Sequence, residues 1–324
     1  MLMKAKKLPP LRLHLNEPWA YSDHPAELYP DPSFLKEEIV KLHQVNQDQV
    51  QLTSGADGAI DLVNRALDPG KVVILDPDFP RYEFHAANAR HSVTKVRIGI
   101  PGFSFPTHQL LHAIDRDTSL VIVSTVANPT GIRLPRQVVG QIHHLFPQAI
   151  IMVDEVYSPF TGDDYASYAS ATAGVISVRS LSKVGWPGLR VGWIVGAAET
   201  LAKFKPFAPA YPVPGPCVGK ALGAVKAHQA WIGTVQRQID AREYLTRKLS
   251  ASGIPVRPSA GNWVLAHFGS EAPLVVDSLK ESVLLQLPMA PDLQGWIRIS
   301  TPQVSAMIQL LKALTPFMRR ERAA

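Results

Sequence analysis

Short runs of β-branched and aliphatic residues recur through the first two-thirds of the chain: "KVVILD" (71–76), "SVTKVRI" (92–98), "SLVIVST" (119–125), "AIIMVDE" (149–155), "GVISVRS" (174–180) and "RVGWIVG" (190–196). Most are apolar at nearly every position, so both faces of each strand must be covered. The stretches between them have helical length and periodicity: "ADGAIDLVNRAL" (56–67), "RYEFHAANA" (81–89), "THQLLHAI" (107–114) and "PRQVVGQIHHLF" (135–146). Strands that alternate with amphipathic helices predict an α/β fold, a mostly parallel mixed sheet flanked by helices. In such sheets ligands gather beyond the carboxyl ends of the strands.

The character changes after residue 205. "KPFAPAYPVPGPC" (205–217) is a proline-rich break, followed by one long helical stretch over about 218–250. "GNWVLAHF" (261–268), a helix over 274–281, "GWIRIST" (295–301) and a last helix over 302–319 complete a smaller α+β unit. The expected division is a large domain over 30–205 and a small substrate-side domain formed by 1–29 with 206–324.

Composition narrows the function. At 46% hydrophobic and 19% charged residues the chain is globular, and its 324 residues suffice for a sizeable core. No apolar run reaches the ~18 residues a membrane-spanning helix needs. The start lacks the continuous apolar segment of a signal peptide, and a single cysteine, Cys217, permits no internal disulfide. A cytoplasmic protein with no membrane partner is expected. The net charge of +6 is scattered, with its densest cluster "RRER" at 319–322, and no recognition motif accompanies it, so no nucleic-acid partner is expected.

Several constellations carry chemistry. "QLTSGADGAIDLV" (51–63) sets Thr53, Ser54, Gly55, Ala56 and Asp57 at a helix start, which serves either as an anion site or as an ordinary cap. "NPTG" (128–131) is a tight turn after a strand, able to aim Asn128 back over the strand ends. Asp154, at the end of an apolar strand, needs a cationic partner, either an arginine or a protonated heterocyclic nitrogen. In "SLSKVGWPGLR" (180–190), Ser180, Ser182 and Arg190 suit a phosphate. Lys183 lies among them, a surface lysine in a turn or, if desolvated beside other cations, a nucleophile toward a carbonyl.

The ordered set "LNE" (15–17), "YPDP" (29–32), "TSGADGAI" (53–60), "DPDFPRY" (76–82), "NPTG" (128–131), "VDEVY" (153–157), "SLSKVGWPGLRVGW" (180–193), "GNWVL" (261–265) and "WIRIS" (296–300) spans nearly the whole chain. It resembles the fold-type I pyridoxal-phosphate enzymes, in particular the class I and II aminotransferases near histidinol-phosphate aminotransferase and threonine-phosphate decarboxylase. The resemblance implies pyridoxal 5′-phosphate as cofactor and an internal aldimine on Lys183, which then shuttles protons at the substrate α-carbon. It implies that Asp154 holds the pyridine nitrogen protonated, that Asn128 and Tyr157 bond the ring 3-oxygen, and that Tyr82 stacks on the ring. Gly55, Ala56, Asp57, Ser180, Ser182 and Arg190 would hold the phosphate, with Tyr29 from a second subunit, hence a homodimer with a shared site. Arg298 would clamp the substrate α-carboxylate, with Asn262 and Asn16 near it. No metal ligands are implied.

Two departures bear on substrate. Lys183 and Arg190 are seven residues apart, a compact loop containing Trp186. Where phosphate-using relatives place an arginine ahead of the carboxylate clamp, this chain has "SVLLQLPMA" (282–290), with Gln286 at about that position. A neutral amide poorly replaces a guanidinium facing a dianion, so the substrate is expected to be an unphosphorylated amino acid, with a keto acid as second substrate. Decarboxylation, elimination or cyclisation on the same cofactor is the alternative outcome, and a non-catalytic homologue is a third.

Overall fold

The computed structural model describes residues 24, 26–99 and 102–318. Ten strands are present among them: β1 (Val50–Thr53), β2 (Lys71–Asp76), β3 (Ser92–Arg97), β4 (Thr118–Ser124), β5 (Ile150–Asp154), β6 (Val175–Ser180), β7 (Gly192–Gly196), β8 (Val256–Pro258), β9 (Trp263–His267) and β10 (Trp296–Ser300). Seven build one sheet in the order β1-β7-β6-β5-β4-β2-β3. The pairs β2·β3, β2·β4, β4·β5 and β5·β6 are parallel, while β7 runs antiparallel to both β6 and β1. The mixed, mostly parallel sheet expected from the alternation is therefore present.

Side-chain alternation along each strand feeds two cores. On one face Val72, Ile74, Leu120, Ile122, Met152 and Ile176 pack under helices Gly55–Ala66 and Arg81–Asn88. On the other, Val73, Leu75, Val121, Val123, Ile151 and Val153 pack against Val138, Val139 and Ile142 of helix Gln137–Leu145. Burial on both faces is why these strands are apolar throughout.

A third cluster joins β1 and β7 to Leu35 and Ile39 of helix Ser33–His43 and to Ala221, Ala224 and Val225. The fourth lies around the antiparallel sheet β10-β9-β8, covered by helices Gln229–Ala251, Ala272–Leu279 and Val304–Met318. The single helix expected over 218–250 is instead two, Gly215–Lys226 and Gln229–Ala251. They break because they serve different cores: the first packs on the large sheet, and most of the second on the small one. The Trp231 indole donates to the Ala224 carbonyl (3.0 Å), satisfying an acceptor that the helix end leaves unpaired. Among the described residues no helix is long and apolar enough to cross a membrane.

This topology gathers chemistry along one edge. Because β2, β4, β5 and β6 are parallel, Asp76, Ser124, Asp154 and Ser180 all end at the same side, with Ser124 in register with Asp154. The reversal into β7 pairs Ser180 with Gly192, so residues 181–191 form a hairpin loop over that edge. A Cβ at Gly192 would lie 2.5 Å from the Gly55 carbonyl carbon, 2.8 Å from the Arg179 oxygen and 2.9 Å from the Ala56 nitrogen. All three are main-chain atoms, so none can rotate away. Gly192→Ala is expected to lower stability by about 1–3 kcal/mol, the usual range for overpacking. Gly196→Ala, which meets only side-chain atoms of Ile176 and Leu201, is expected to lose less; denaturant unfolding of the two variants checks the order.

Candidate active site

Two adjoining cavities open at the carboxyl edge of the sheet. The inner one, of about 150 Å³, is lined at one end by Ala56, Asp57, Ser180, Ser182 and Arg190. Helix Gly55–Ala66 begins there with no side-chain cap, because the Ser54 hydroxyl makes no bond to the first turn. The capping alternative thus fails, and the amides and positive dipole end of that turn face the cavity. The hydroxyls of Ser180 and Ser182 are 2.8 Å apart. Arg190 has φ +52°, the left-handed region that non-glycine residues seldom occupy, and its guanidinium lies against Gly55. A helix start, two hydroxyls and a guanidinium around one hollow form an oxyanion cradle.

At the opposite end Asp154 is buried. Its Oδ2 accepts from the Tyr82 hydroxyl (2.6 Å), and its Oδ1 accepts from the Val156 amide (2.9 Å). Among the described residues no arginine pairs with it, so the ion-pair alternative is not realised there. Burial raises its pKa, while the Tyr82 bond, the Val156 amide and the Lys183 charge hold it down. A cationic ring nitrogen placed there would relieve that desolvation. Tyr82, expected to stack on a ring, is fixed by its hydroxyl to this carboxylate and lines the same cavity.

Lys183 is at the end of a 3-10 turn, Leu181–Lys183, and lines both cavities. Its Nζ is 5.5 Å from the centre of the Tyr157 ring. Burial, then the positive charge of Arg298, lowers its pKa; Asp154 opposes this and Arg190 adds to it. The surface-lysine alternative therefore does not apply, and a neutral amine is accessible at lower pH than for an exposed lysine. Burial likewise raises the Tyr157 hydroxyl above its ordinary range, against the charge of Arg298.

The outer cavity, of about 680 Å³, is walled by Asn128, Tyr157, Lys183, Asn262, Trp263, Gln286 and Arg298, and reaches a rim at Glu83, Lys95 and Arg97. Arg298 Nη1 donates to Asn128 Oδ1 (2.8 Å), while its buried Nε has no hydrogen-bond partner among the described residues. A guanidinium in the wall of a cavity suits a carboxylate, which it can hold through charge-assisted hydrogen bonds. The loops that carry these residues are interlocked. Trp263 Nε1 donates to the Pro129 carbonyl (2.7 Å), and the Ala260 amide donates to Gly131 (3.1 Å). Gly131 has φ +73°, and a Cβ there would approach Ser259 Cα to 2.6 Å, which accounts for the glycine that ends "NPTG".

Of the residues singled out in the sequence, Ala56, Asp57, Tyr82, Asn128, Asp154, Tyr157, Ser180, Ser182, Lys183 and Arg190 line the inner cavity. Asn262 and Arg298 line the outer one. The Asp57 carboxylate is occupied by Arg81 Nε (2.8 Å) and His85 (3.0 Å), leaving its amide for the cavity. Tyr29 is on the surface, stacked on Tyr211 at 4.7 Å. Asn16 lies outside the described residues. Sequence reasoning missed Asp78, which accepts from the amides of Phe79 (2.8 Å) and Asn128 (2.9 Å) and from the Ser124 hydroxyl. The aspartate in "DPDFPRY", between two prolines after a strand, was the available signal.

The sequence matches the family model for aminotransferase class I and II over residues 2–314. A histidinol-phosphate aminotransferase of Gluconobacter oxydans is 26% identical over 89% of this chain and 82% of its own, and one of Roseiflexus castenholzii is 28% identical over 89% and 81%. Among solved structures, histidinol-phosphate aminotransferase from Sinorhizobium meliloti, in complex with pyridoxal-5′-phosphate, superposes with a TM-score of 0.83 at 22% identity, covering 91% of this chain and 84% of that one. L-threonine-O-3-phosphate decarboxylase from Porphyromonas gingivalis superposes with a TM-score of 0.77 at 20% identity over 91% and 90%.

Burial pushes the Asp78 carboxyl up to about 7 despite its three donors, and the nearby Asp154 charge adds to the rise. The folded protein therefore holds a proton that the unfolded chain releases near pH 4, and stability falls as pH rises through this interval. Asp78→Asn keeps acceptors for both amides and removes the charge. Its stability relative to wild type is expected to improve steadily between pH 4 and pH 8, by on the order of 2–4 kcal/mol. Urea unfolding of both proteins across that range checks the sign.

Proposed function

Since the chain belongs to the class I and II aminotransferase family, we propose that it is a pyridoxal-5′-phosphate-dependent aminotransferase acting on an unphosphorylated amino acid and a keto acid. The observation that carries the cofactor is the inner cavity: an uncapped helix start with Ser180, Ser182 and Arg190 at one end, buried Asp154 at the other, and Lys183 between. Those residues fit a phosphate, a ring nitrogen and an aldehyde respectively. When bound, the cofactor supplies an electron sink for bonds at the substrate α-carbon.

The protein supplies the rest. Asp154 would hold the ring nitrogen in its protonated form, and Asn128 and Tyr157 would flank the ring 3-oxygen. Arg298, in the wall of the outer cavity, would bind the substrate α-carboxylate with its guanidinium, which fixes the α-carbon over Lys183. Lys183, its pKa lowered by burial and by Arg298, would take the α-proton and give it up again two atoms away, across the bridging nitrogen. Tyr29 is offered to the cavity of a second subunit, so the working form is a homodimer, located in the cytoplasm.

Charge at the rim supports an unphosphorylated side chain. Lys95 is paired with Glu83 (2.6 Å), and Arg97 with Asp76 (3.2 Å) and Asp292, so neither rim cation faces the cavity unopposed. Gln286 lines the wall with a neutral amide, while its carbonyl accepts from the Arg298 amide (2.8 Å). Apolar atoms of Phe79, Pro80, Pro288 and Met289 complete the wall.

The test is a panel of amino acids, histidinol phosphate included, added to the cofactor-loaded protein without keto acid. Bleaching of the visible band by unphosphorylated amino acids, with the amine form of the cofactor retained, is the expected result. Faster bleaching by histidinol phosphate overturns the substrate assignment, and continuous release of carbon dioxide or ammonia overturns transamination. Lys183→Ala is expected to lose the band and at least about a hundredfold in turnover, the lower end for a missing acid–base group. Arg298→Gln is expected to act mainly by raising KM for the amino acid, as steady-state kinetics will register.

A further inference from the structure

Helix Gln229–Ala251 belongs mainly to the small-domain core, yet one of its side chains reaches both parts of the site. Gln238 is 9% exposed. Its Nε2 donates to the Lys183 carbonyl (3.3 Å) and, within its own helix, to the Thr234 carbonyl (3.3 Å). Its Oε1 accepts from Asn262 Nδ2 (2.8 Å). The main chain repeats the connection: Thr301 Oγ1 donates to the Gln238 carbonyl (3.2 Å), and the Thr301 amide donates to the Asn262 carbonyl (2.9 Å). One turn further along, Arg242 Nη1 donates to the Gly261 carbonyl (2.7 Å).

We propose that Gln238 is a positioning residue that couples the substrate-side amide of Asn262 to the main chain of Lys183. The inference rests on the functional reading above, in which Lys183 is the reactive amine and Asn262 lies at the substrate. Both ends of the Gln238 amide are committed, so a movement of Asn262 is passed on to the carbonyl of the residue that carries the amine. Lys183 is held in a single 3-10 turn followed by the short loop through Gly185 and Pro187. That turn is held by the Leu181 amide on the Val191 carbonyl and the Trp186 amide on the Leu181 carbonyl, and the Gln238 bond adds an anchor at Lys183 itself. An apolar residue at 238 would leave the part-buried Lys183 carbonyl and Asn262 amide to find other partners.

A double-mutant cycle of Gln238→Met with Asn262→Ala tests the coupling. Two readouts are taken: the pH midpoint for acetylation of Lys183 in the cofactor-free protein, by mass spectrometry, and the pH midpoint of the visible band after adding pyridoxal 5′-phosphate. Asn262→Ala is expected to change the proton affinity of Lys183 about three- to tenfold in the wild-type background and much less in Gln238→Met, the non-additivity of groups sharing one network. Equal shifts in both backgrounds, or none in either, overturn the proposal, because a purely structural role predicts additivity.

Gln238→Glu provides a second arm if the methionine variant does not fold, as judged by circular dichroism. It keeps an acceptor for Asn262 and loses the amide donor to Lys183, so the effect of Asn262→Ala is again expected to shrink. If wild type gains no visible band, the cofactor assignment fails, while the acetylation cycle still reports whether Gln238 couples the two residues.

Discussion

A carboxylate buried at the end of an apolar strand organises this site. Asp154 closes β5, whose five residues are all buried, and its charge cannot be left without partners in that setting. The partners come from separate segments: the Tyr82 hydroxyl from helix Arg81–Asn88, the Val156 amide from the turn after β5, and the charge of Lys183 from the β6–β7 loop. A parallel sheet is what makes this convergence available, because it delivers successive strand ends to the same edge. The oxyanion cradle then forms at a distance set by the sheet, where β1 and β7 bring a helix start and Arg190 together.

Three cationic side chains share this small region, and their separation determines what each can do. Arg190 is held against Gly55 at the anion end, and Arg298 is tied to Asn128 in the outer cavity. Lys183, between them, is half-buried in the field of both and has its pKa lowered. The two arginines stay charged in any accessible pH, so the lysine is the group that yields its proton. Binding anions at both ends would relieve part of that field, so occupancy and the basicity of the amine are electrostatically linked.

Much of the fold was legible because its physics is local. Strands covered on both faces must be apolar throughout, and the runs read on that basis, together with the half-exposed edge strand β3, match β2 to β7 to within two residues at either end. The break between helices Gly215–Lys226 and Gln229–Ala251 was not legible, since alanine, histidine and glutamine at 227–229 are compatible with helix and only the two separate cores divide them. Asp78 was hidden for a related reason. An aspartate beside prolines is ordinary turn chemistry, and its burial against Ser124 and the Asn128 amide arises from residues some fifty positions away.

By itself the sequence determined which residue types could do the chemistry: an aspartate at a strand end, a lysine and an arginine in one glycine-rich turn, and a family pattern that orders them. These are properties of neighbouring residues, so they survive without coordinates. Only the tertiary structure decided the alternatives that depended on what was absent. Among the described residues it left the helix at Gly55 without a side-chain cap, Asp154 without an arginine and Arg298 Nε without a partner. It also brought Gln238 between Lys183 and Asn262, across separations of 55 and 24 residues. Contacts of that range are set by how the two sheets and their helices pack, which no local pattern encodes.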